Sequence, residues 1–266
     1  MSNLLSEKPA KVGRICVFCG SSVGAKPKYL AEAKSLGLQM AGGGWGLVYG
    51  GTSVGLMGAT ADAALSGGAE VIGILPQALQ DREIAHRGLT KLHLVESMHE
   101  RKALMASLSD AFIALPGGYG TLDEFFEIVT WAQLNIHSKP CVLINTDGYY
   151  DFLLRFLDHA VREEFIRAGN LMLVQVARDS AEALQWIEQQ RRRLRFIRLS
   201  SRKMAARSWE PESPSASARK RATSASDSRT ADSRERAVPL SANVKQLRGQ
   251  RRRAAAPLVC SLRNRA

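Results

Sequence analysis

The chain has 266 residues, 45% of them hydrophobic, which is enough for one generous domain with a sizeable core and excludes wholesale disorder. No apolar run approaches the roughly 20 residues that a membrane-spanning helix requires. The formal charge of +12 is uneven, because residues 1–190 hold 16 Lys+Arg and 20 Asp+Glu whereas residues 191–266 hold 21 and 5. The chain is therefore a mildly acidic body followed by a strongly basic tail.

The body alternates short apolar runs with stretches of helical spacing. In chain order the predicted elements are strand 14–20, helix 27–42, strand 46–51, helix 57–68, strand 70–76, strand 92–96, helix 99–109, strand 110–118, helix 122–134, strand 140–146, helix 149–166, strand 171–176 and helix 180–194. Continuous apolar strands separated by helices are typical of a parallel sheet covered on both faces. The predicted fold class is α/β, a single doubly wound, Rossmann-like sheet flanked by helices, whose ligands bind beyond the carboxyl ends of the strands.

The ends of the chain differ from this body. We expect a flexible N-terminus over residues 1–12, one Rossmann-like domain over 13–198 and a disordered tail over 199–266 that is rich in Ser, Ala and Arg. The tail could bind nucleic acid non-specifically through its basic runs at 219–221 and 251–253, or be a solvated appendage with no partner, or be an extension foreign to the domain. The first residues lack the basic and apolar regions of a signal peptide, so we expect a cytoplasmic location.

Four cysteines are present, and two of them form a C-x-x-C at the first predicted strand. Three residues apart on a strand, Cys16 and Cys19 point to opposite faces of the sheet, which is poor geometry for sharing one zinc ion or one disulfide. No second C-x-x-C follows, and the five histidines show no ligand spacing. We predict buried structural thiols and no metal site.

Three loops between a strand and a helix consist largely of small residues. They are CGSS at 19–22, GGTSVGLMG at 50–58 and PGGYGT at 116–121. Without bulky side chains their backbone N–H groups can approach a ligand, and a helix N-terminus adds a favourable potential for an anion. None of them is a Walker A or a dinucleotide-type G-x-G-x-x-G loop. A tight turn would explain any single glycine loop, but three on one sheet edge predict a site for a phosphorylated small molecule.

Charged residues accompany the third loop. Thr121 and Glu124 form a T-x-x-E, which is a capping box at a helix start but also leaves a carboxylate at the mouth of a phosphate cradle. Arg101 and Lys102 open the helix before the preceding strand, where two cations oppose the helix dipole. They are either solvated surface charges or ligands for a phosphate or carboxylate, and Arg101 could bind through a bidentate fork.

Longer motifs run through the body of the chain. They are GGTSVGLMG (50–58), ADAA (61–64), MHERK (98–102), PGGYGTLDE (116–124), TWAQL (130–134) and DGYYDFLLRFLD (147–158). Together they closely resemble the Lonely guy (LOG) family of cytokinin riboside 5′-monophosphate phosphoribohydrolases, at times labelled lysine-decarboxylase-like. The family's PGGxGTxxE signature is complete, with Asp123 in place of Glu at one variable position. The resemblance spans about residues 12–190 and leaves out the tail.

This resemblance implies hydrolysis of the N-glycosidic bond of an adenosine 5′-monophosphate, ideally N6-substituted, to free base and ribose 5-phosphate without a cofactor. By matching positions it makes Arg101 and Glu124 the catalytic pair. The substrate-binding residues that it implies are Glu83, Arg101, Lys102, Gly118, Tyr119, Gly120, Thr121, Leu122, Asp123, Glu124 and Thr130. A carboxylate can stabilise oxocarbenium-like charge or deprotonate water, and an arginine can orient it and keep it ionised. We expect Glu124→Gln and Arg101→Ala each to abolish base release with the fold intact.

Two alternative functions and one structural question stay open. A non-catalytic nucleotide or cofactor carrier, such as the molybdenum cofactor carriers that the family resembles, would use the same fold. A lysine decarboxylase would need a Schiff-base lysine for pyridoxal phosphate, and the glycine loops identify none. The helix at 122–134 has more apolar residues than one face needs, so it is either deeply buried or part of a two-fold interface. The family's dimers favour a homodimer.

Overall fold

The computed structural model describes residues 13–80 and 85–207, and these contain one parallel sheet of seven strands. The strands are β1 (Arg14–Phe18), β2 (Gly46–Tyr49), β3 (Val71–Pro76), β4 (Lys91–Val95), β5 (Ala111–Ala114), β6 (Cys141–Ile144) and β7 (Val174–Ala177). The helices are α1 (Pro27–Gly42), α2 (Gly55–Ser66), α3 (Gln77–Gln80), α4 (Met98–Leu108), α5 (Tyr119–Gln133), α6 (Asp151–Arg162), α7 (Ala168–Leu171) and α8 (Ser180–Arg207). Each predicted strand has its counterpart, and the α/β class is confirmed.

The order of the strands across the sheet places the site. They lie in the order β4-β3-β2-β1-β5-β6-β7, and every neighbouring pair is parallel. The chain runs from β1 towards one edge through β2 and β3, and from β5 towards the other edge through β6 and β7. The direction therefore reverses between β1 and β5. In open α/β sheets a crevice for ligands lies at the carboxyl ends of the strands at such a switch point.

Helices cover both faces of the sheet, so its central strands are buried on both sides. Side chains of α1, α2 and α8 pack with Val17 and Cys19 on one face, and those of α4 and α5 pack with Cys16 and Phe18 on the other. The two cysteines thus lie on opposite faces, as predicted. Burial raises the pKa of both thiols, and it raises the pKa of Cys141 to about 12. All three described cysteines are buried and free, which fits structural thiols.

The single long helix predicted over 149–166 is wrong at both ends. A 3₁₀ turn, Thr146–Gly148, precedes α6, and Asp147 within it has a φ of 55°. Glu164 has a φ of 63°, a left-handed conformation that ends a helix, and α7 follows as a separate turn. The apolar pattern continues across this break through Phe165, which explains why the sequence predicts one helix.

The last helix is longer than the sequence predicts. α8 continues to Arg207, past residue 198, where we place the end of the domain. Residues 202–207, RKMAAR, are all good helix formers, so intrinsic propensity extends the helix although apolar periodicity has faded. Within the described ranges, no helix combines the length and apolarity needed to cross a membrane. The predictions for residues 1–12 and for the tail from 208 onward concern residues outside those ranges.

Candidate active site

The three glycine loops meet at the carboxyl ends of β1, β2 and β5. The Gly20 N–H donates to the Pro116 carbonyl at 3.0 Å, and the Leu56 N–H donates to the Gly20 carbonyl at 3.0 Å. These bonds join the first loop to the third loop and to the start of α2. A Cβ on Gly117 would lie 2.8 Å from the Gly20 nitrogen, so the loops approach as closely as bare backbone allows.

Gly55, the first residue of α2, is a second point of close approach. Its φ of 61° is left-handed, and a Cβ there would overlap the Ser21 backbone. Gly55→Ala is therefore expected to lower the free energy of unfolding by about 2–4 kcal/mol, measured by urea denaturation. Gly118→Ala is the control and should cost less than about 1 kcal/mol, because Gly118 has a φ of −93° and no described atom within 4 Å of a built Cβ. Equal losses would show that the close approach at Gly55 has no energetic weight.

The helices that start at these loops have N-cap residues without a capping side chain. The N-cap residues of α2 and α5 are Val54 and Gly118, and neither makes a side-chain capping hydrogen bond. In α2 the Leu56 N–H is already bonded to the Gly20 carbonyl, so fewer of its first-turn N–H groups remain for a ligand. In α4, by contrast, Ser97 Oγ accepts the Glu100 N–H at 3.1 Å, and the Glu100 carboxylate accepts the Glu96 N–H at 2.8 Å. The S-x-x-E spacing at 97–100 is the sequence signal for this cap. First-turn N–H groups without a cap can bind an anion, so α2 and α5 are suited to a phosphate.

Of the two interpretations left open for Thr121 and Glu124, the capping box is wrong. α5 begins at Tyr119, so Thr121 lies inside its first turn and not at the N-cap. The Thr121 side chain is buried and lies so close to Gly117 that a Cβ on residue 117 would overlap it. Gly118 supplies the N-cap with an extended backbone and no side chain, which allows the helix to start earlier than the apolar pattern indicates. The T-x-x-E spacing therefore does not mark the start of α5.

Arg101 and Glu124 form a buried ion pair at this edge of the sheet. The Nη1 and Oε1 atoms are 3.3 Å apart, and the side chains are only 8% and 12% exposed. The guanidinium also donates through Nε to the Ile74 carbonyl of β3 at 3.1 Å and through Nη2 to the Gly50 carbonyl after β2 at 3.4 Å. Because an adjacent guanidinium stabilises a carboxylate relative to the acid, the contact suits a Glu124 that acts as an anion.

Lys102 has a different environment from its neighbour Arg101. Its Nζ lies 2.7 Å from Glu127 and 3.1 Å from Asp123, both on α5. The hydrogen bond to Glu127, and less strongly that to Asp123, raises the pKa of Lys102. An open groove of about 540 Å³ runs between α4 and α5 at this point. Its lining residues are Lys102, Leu122, Asp123, Phe126, Glu127, Thr130 and Trp131.

The predicted site residues therefore fall into two groups. Those at the meeting point of the loops are Arg101, Gly118, Tyr119, Gly120, Thr121 and Glu124, and those in the groove are Lys102, Leu122, Asp123 and Thr130. Tyr119 is 94% exposed. Glu83 lies outside the described residues. Among residues 13–80 and 85–207, no group of three His, Cys, Asp or Glu side chains is arranged to hold a metal ion.

Two tyrosines that were not among the predicted site residues hold the third loop. The Tyr149 hydroxyl donates to the Gly117 carbonyl, and the Tyr150 hydroxyl donates to the Leu115 carbonyl, both at 2.7 Å. The DGYY motif after β6 is the sequence signal, but it gives no hint of these partners. The backbone that precedes α5 is therefore fixed from the side by the turn after β6.

An exposed ion cluster ties the first loop to the same turn. Lys26 and Lys28, at the start of α1, contact the carboxylate of Asp147 at 2.6 and 2.7 Å. Hydrogen bonds from Lys26 and then Lys28 lower the pKa of Asp147 to about 2. The loops after β1, β5 and β6 are thus connected to one another through side chains as well as backbone.

Comparisons of the sequence with known proteins agree on one family. A family model described as "Possible lysine decarboxylase" matches residues 57–187. The cytokinin riboside 5′-monophosphate phosphoribohydrolase LOG1 of Arabidopsis thaliana is 45% identical over 206 residues, which cover 77% of this chain and 94% of that protein. The phosphoribohydrolase LOG4 of the same plant is 49% identical over 180 residues, which cover 68% of this chain and 84% of that protein.

Solved structures share the fold at lower identity. The Moco carrier protein of Chlamydomonas reinhardtii has a TM-score of 0.51 and 26% identity, and the match covers 66% of this chain and 96% of that chain. The molybdenum cofactor binding protein of Rippkaea orientalis has a TM-score of 0.52 and 25% identity, with 66% and 96% covered. Since the phosphoribohydrolases are far more similar in sequence and match over most of their length, this chain belongs to the Lonely guy (LOG) family.

Proposed function

We propose that this protein hydrolyses the N-glycosidic bond of an N6-substituted adenosine 5′-monophosphate and releases the free cytokinin base and ribose 5-phosphate. The observation that carries the proposal is the buried Arg101–Glu124 pair, 3.3 Å apart, beside three joined glycine loops. The relatives at 45% and 49% identity are named for this activity.

The 5′-phosphate binds at the starts of α2 and α5 in this proposal. The N-cap residues of both helices lack a capping side chain, although the Leu56 N–H of α2 is bonded to the Gly20 carbonyl. The positive end of each helix dipole favours an anion at the meeting point of the loops. Thr121, in the first turn of α5, adds a hydroxyl next to Gly117. A phosphate held at the start of α5 brings the attached ribose towards Glu124, one helical turn after Thr121.

Glu124 acts on the sugar. When the bond between C1′ and the base nitrogen breaks, the base keeps the electron pair and positive charge builds on C1′ and the ring oxygen. The Glu124 carboxylate stabilises that charge and accepts a proton from the water whose oxygen bonds to C1′. Arg101 keeps the carboxylate oriented and ionised. The departing base takes up one proton, so that overall water supplies the hydroxyl on C1′ and the proton on the base. No step uses a metal or an organic cofactor.

Product analysis tests the proposal directly. Purified protein is incubated with N6-isopentenyl-AMP and, separately, with AMP, and free base and ribose 5-phosphate are measured by chromatography. We expect equal amounts of the two products to accumulate with time from the N6-substituted nucleotide. Recovery of the nucleotide bound but intact would contradict hydrolysis and favour a carrier.

The two alternatives fit less well. The Moco carrier protein and the molybdenum cofactor binding protein named above are 26% and 25% identical to this chain, against 45% and 49% for the phosphoribohydrolases. A Schiff-base lysine must lose its proton to attack an aldehyde, whereas Glu127 and Asp123 raise the pKa of Lys102 and keep it charged. The site around Lys102 therefore does not fit a pyridoxal phosphate lysine.

A homodimer through the outer side of α5 is part of the proposal. Phe125 and Ile128 of α5 are buried at 1% and 2% exposure, whereas Leu134 and Ile136, just after the helix, are 61% and 64% exposed. One side of the helix is thus in the core and apolar residues remain on the surface, where a two-fold axis would allow the patch to bind itself.

Two further expectations are proposals about the chain as a whole. Nucleic-acid binding by the tail is supported by the 21 Lys+Arg against 5 Asp+Glu in residues 191–266, which would contact phosphates without sequence preference. A cytoplasmic location is supported by the free thiols of the described cysteines, because reducing compartments maintain them.

A further inference from the structure

The outer side of α6 and the segment that follows it, through the C-cap residue of α7, expose large apolar side chains. Phe152 is 81% exposed, Phe156 61%, Phe165 89% and Met172 82%. Single exposed apolar residues are normal on a protein surface, but three phenylalanines and a methionine in one short segment are not. The segment also lies outside the site described above, so the proposed chemistry gives these side chains no role.

Phe152 and Phe156 share one side of α6. Phe152 and Phe156 are four residues apart, so they are neighbours on the surface of α6, and the Arg155 guanidinium lies 5.5 Å from the Phe152 ring centre. The opposite side packs inward through Leu157 and Ala160, which are 7% and 9% exposed. α6 is thus anchored by one apolar face and presents a second apolar face outward.

A stripe of alternating charge runs beside the phenylalanines. Asp151, Arg155, Asp158 and Arg162 follow one another at spacings of four, three and four residues, which places them on one side of the helix, and all four are exposed. The order of charges is acidic, basic, acidic, basic. Read from the other end it is basic, acidic, basic, acidic. The stripe is therefore complementary to itself when turned end to end.

We propose that α6 is a self-association surface on which the same helix of a second copy of this chain docks antiparallel. A two-fold axis near the middle of the helix sets Asp151 opposite Arg162 and Arg155 opposite Asp158 of the second copy, and the symmetry repeats both pairs. Phe156, close to the axis, packs against Phe156 of the other helix. A parallel arrangement in register would place like charges together, so the charge pattern selects the antiparallel one.

The affinity and the orientation come from different residues. Burial of the phenylalanines supplies most of the binding, because aromatic side chains dominate interface energetics. Exposed ion pairs add little, but a like charge opposite another is unfavourable and excludes wrong registers. This surface is separate from the outer side of α5 and does not depend on the proposed catalytic function.

A charge-exchange experiment tests the pairing of Arg155 with Asp158. The full chain and the variants Arg155→Asp, Asp158→Arg and the double exchange are compared by sedimentation velocity near physiological salt. Each single variant is expected to raise the self-association constant Kd by at least about tenfold, because like charges then face each other twice. The double exchange, and an equal mixture of the two single variants, are expected to return Kd to within about threefold of the original, because opposite charges again face each other.

Controls separate this surface from the rest of the chain. Lys34→Asp makes the same charge change as Arg155→Asp on α1, on the other face of the sheet, and should leave Kd unchanged. Leu134→Lys acts on the α5 surface, so the decrease in average mass that it causes should add to the decrease caused by Arg155→Asp. Circular dichroism checks that each variant is folded. Single variants that associate like the original chain, or a mixture that associates no better than its components, would overturn the proposal, as would an original chain without self-association.

Discussion

Glu124→Gln is expected to lower kcat for base release by at least about 10³-fold while the protein stays folded. The amide has the size of the carboxylate but carries no charge to stabilise the oxocarbenium-like sugar and no basic oxygen to take a proton from water. KM should change much less, because the phosphate contacts lie at the loops and helix starts. Initial rates with N6-isopentenyl-AMP measure both quantities.

Glu127→Gln is the matched control for this prediction. Glu127 lies one turn further along α5. Its carboxylate pairs with the Lys102 Nζ at 2.7 Å, whereas that of Glu124 pairs with Arg101. The substitution removes the same charge from the same helix, and kcat should stay within about tenfold of the original. An equal loss in both variants would show that the effect is not specific to Glu124, and a Glu124→Gln protein with nearly full kcat would disprove its catalytic role.

Arg101→Ala should abolish activity and also destabilise the protein, by about 3–5 kcal/mol. Removing the guanidinium leaves the Glu124 carboxylate buried without this cation and takes a donor from the carbonyls of Ile74 and Gly50. Each buried polar group that loses its partner costs about 1–3 kcal/mol. Urea denaturation followed by circular dichroism measures the loss. The sequence alone predicts that this variant leaves the fold intact. The buried contacts of Arg101 predict instead that the variant is less stable.

Arg178→Ala and Arg101→Lys separate the loss of stability from the loss of activity. Arg178 is 87% exposed and pairs only with Glu182 of the same segment in the described structure, so its removal should cost less than about 0.5 kcal/mol. Arg101→Lys keeps the charge but lacks the planar fork that reaches two carbonyls and a carboxylate at once, so it should recover part of the stability and little of the activity. An Arg101→Ala protein as stable as the original would show that the carbonyl contacts contribute nothing.

The sheet and its loops follow from local sequence patterns. A strand buried on both faces must be apolar throughout, so runs such as the one at 140–146 identify strands directly. Each glycine loop then falls at a strand end, and parallel strands bring such ends to one edge. The same reasoning places Arg101 and Glu124 at this edge, because each lies near the start of a helix that follows or precedes β5.

Helix ends and side-chain directions are harder to predict from the sequence. α5 starts directly after the N-cap residue Gly118, which has no capping side chain, and Glu164 ends a helix in a left-handed conformation that nothing in its residue type requires. Arg101 and Lys102 are adjacent in sequence, but consecutive helical residues differ by about 100° in direction, so they meet different partners. Which of the two reaches the sheet edge depends on packing, and the sequence does not encode it locally.

The hydrogen bond between Gly20 and Pro116 joins segments that are far apart in the chain, so the proposed nucleotide site is a property of the assembled sheet. A fragment with β1 and β2 but without β5 has no third loop to complete it. Ligand binding is then linked to the global unfolding equilibrium: at 100 times its Kd, a nucleotide stabilises the native state by about 2.7 kcal/mol. The added stability applies to the whole unit that unfolds cooperatively. A bound nucleotide therefore protects amides from hydrogen exchange in distant strands as well as in the loops.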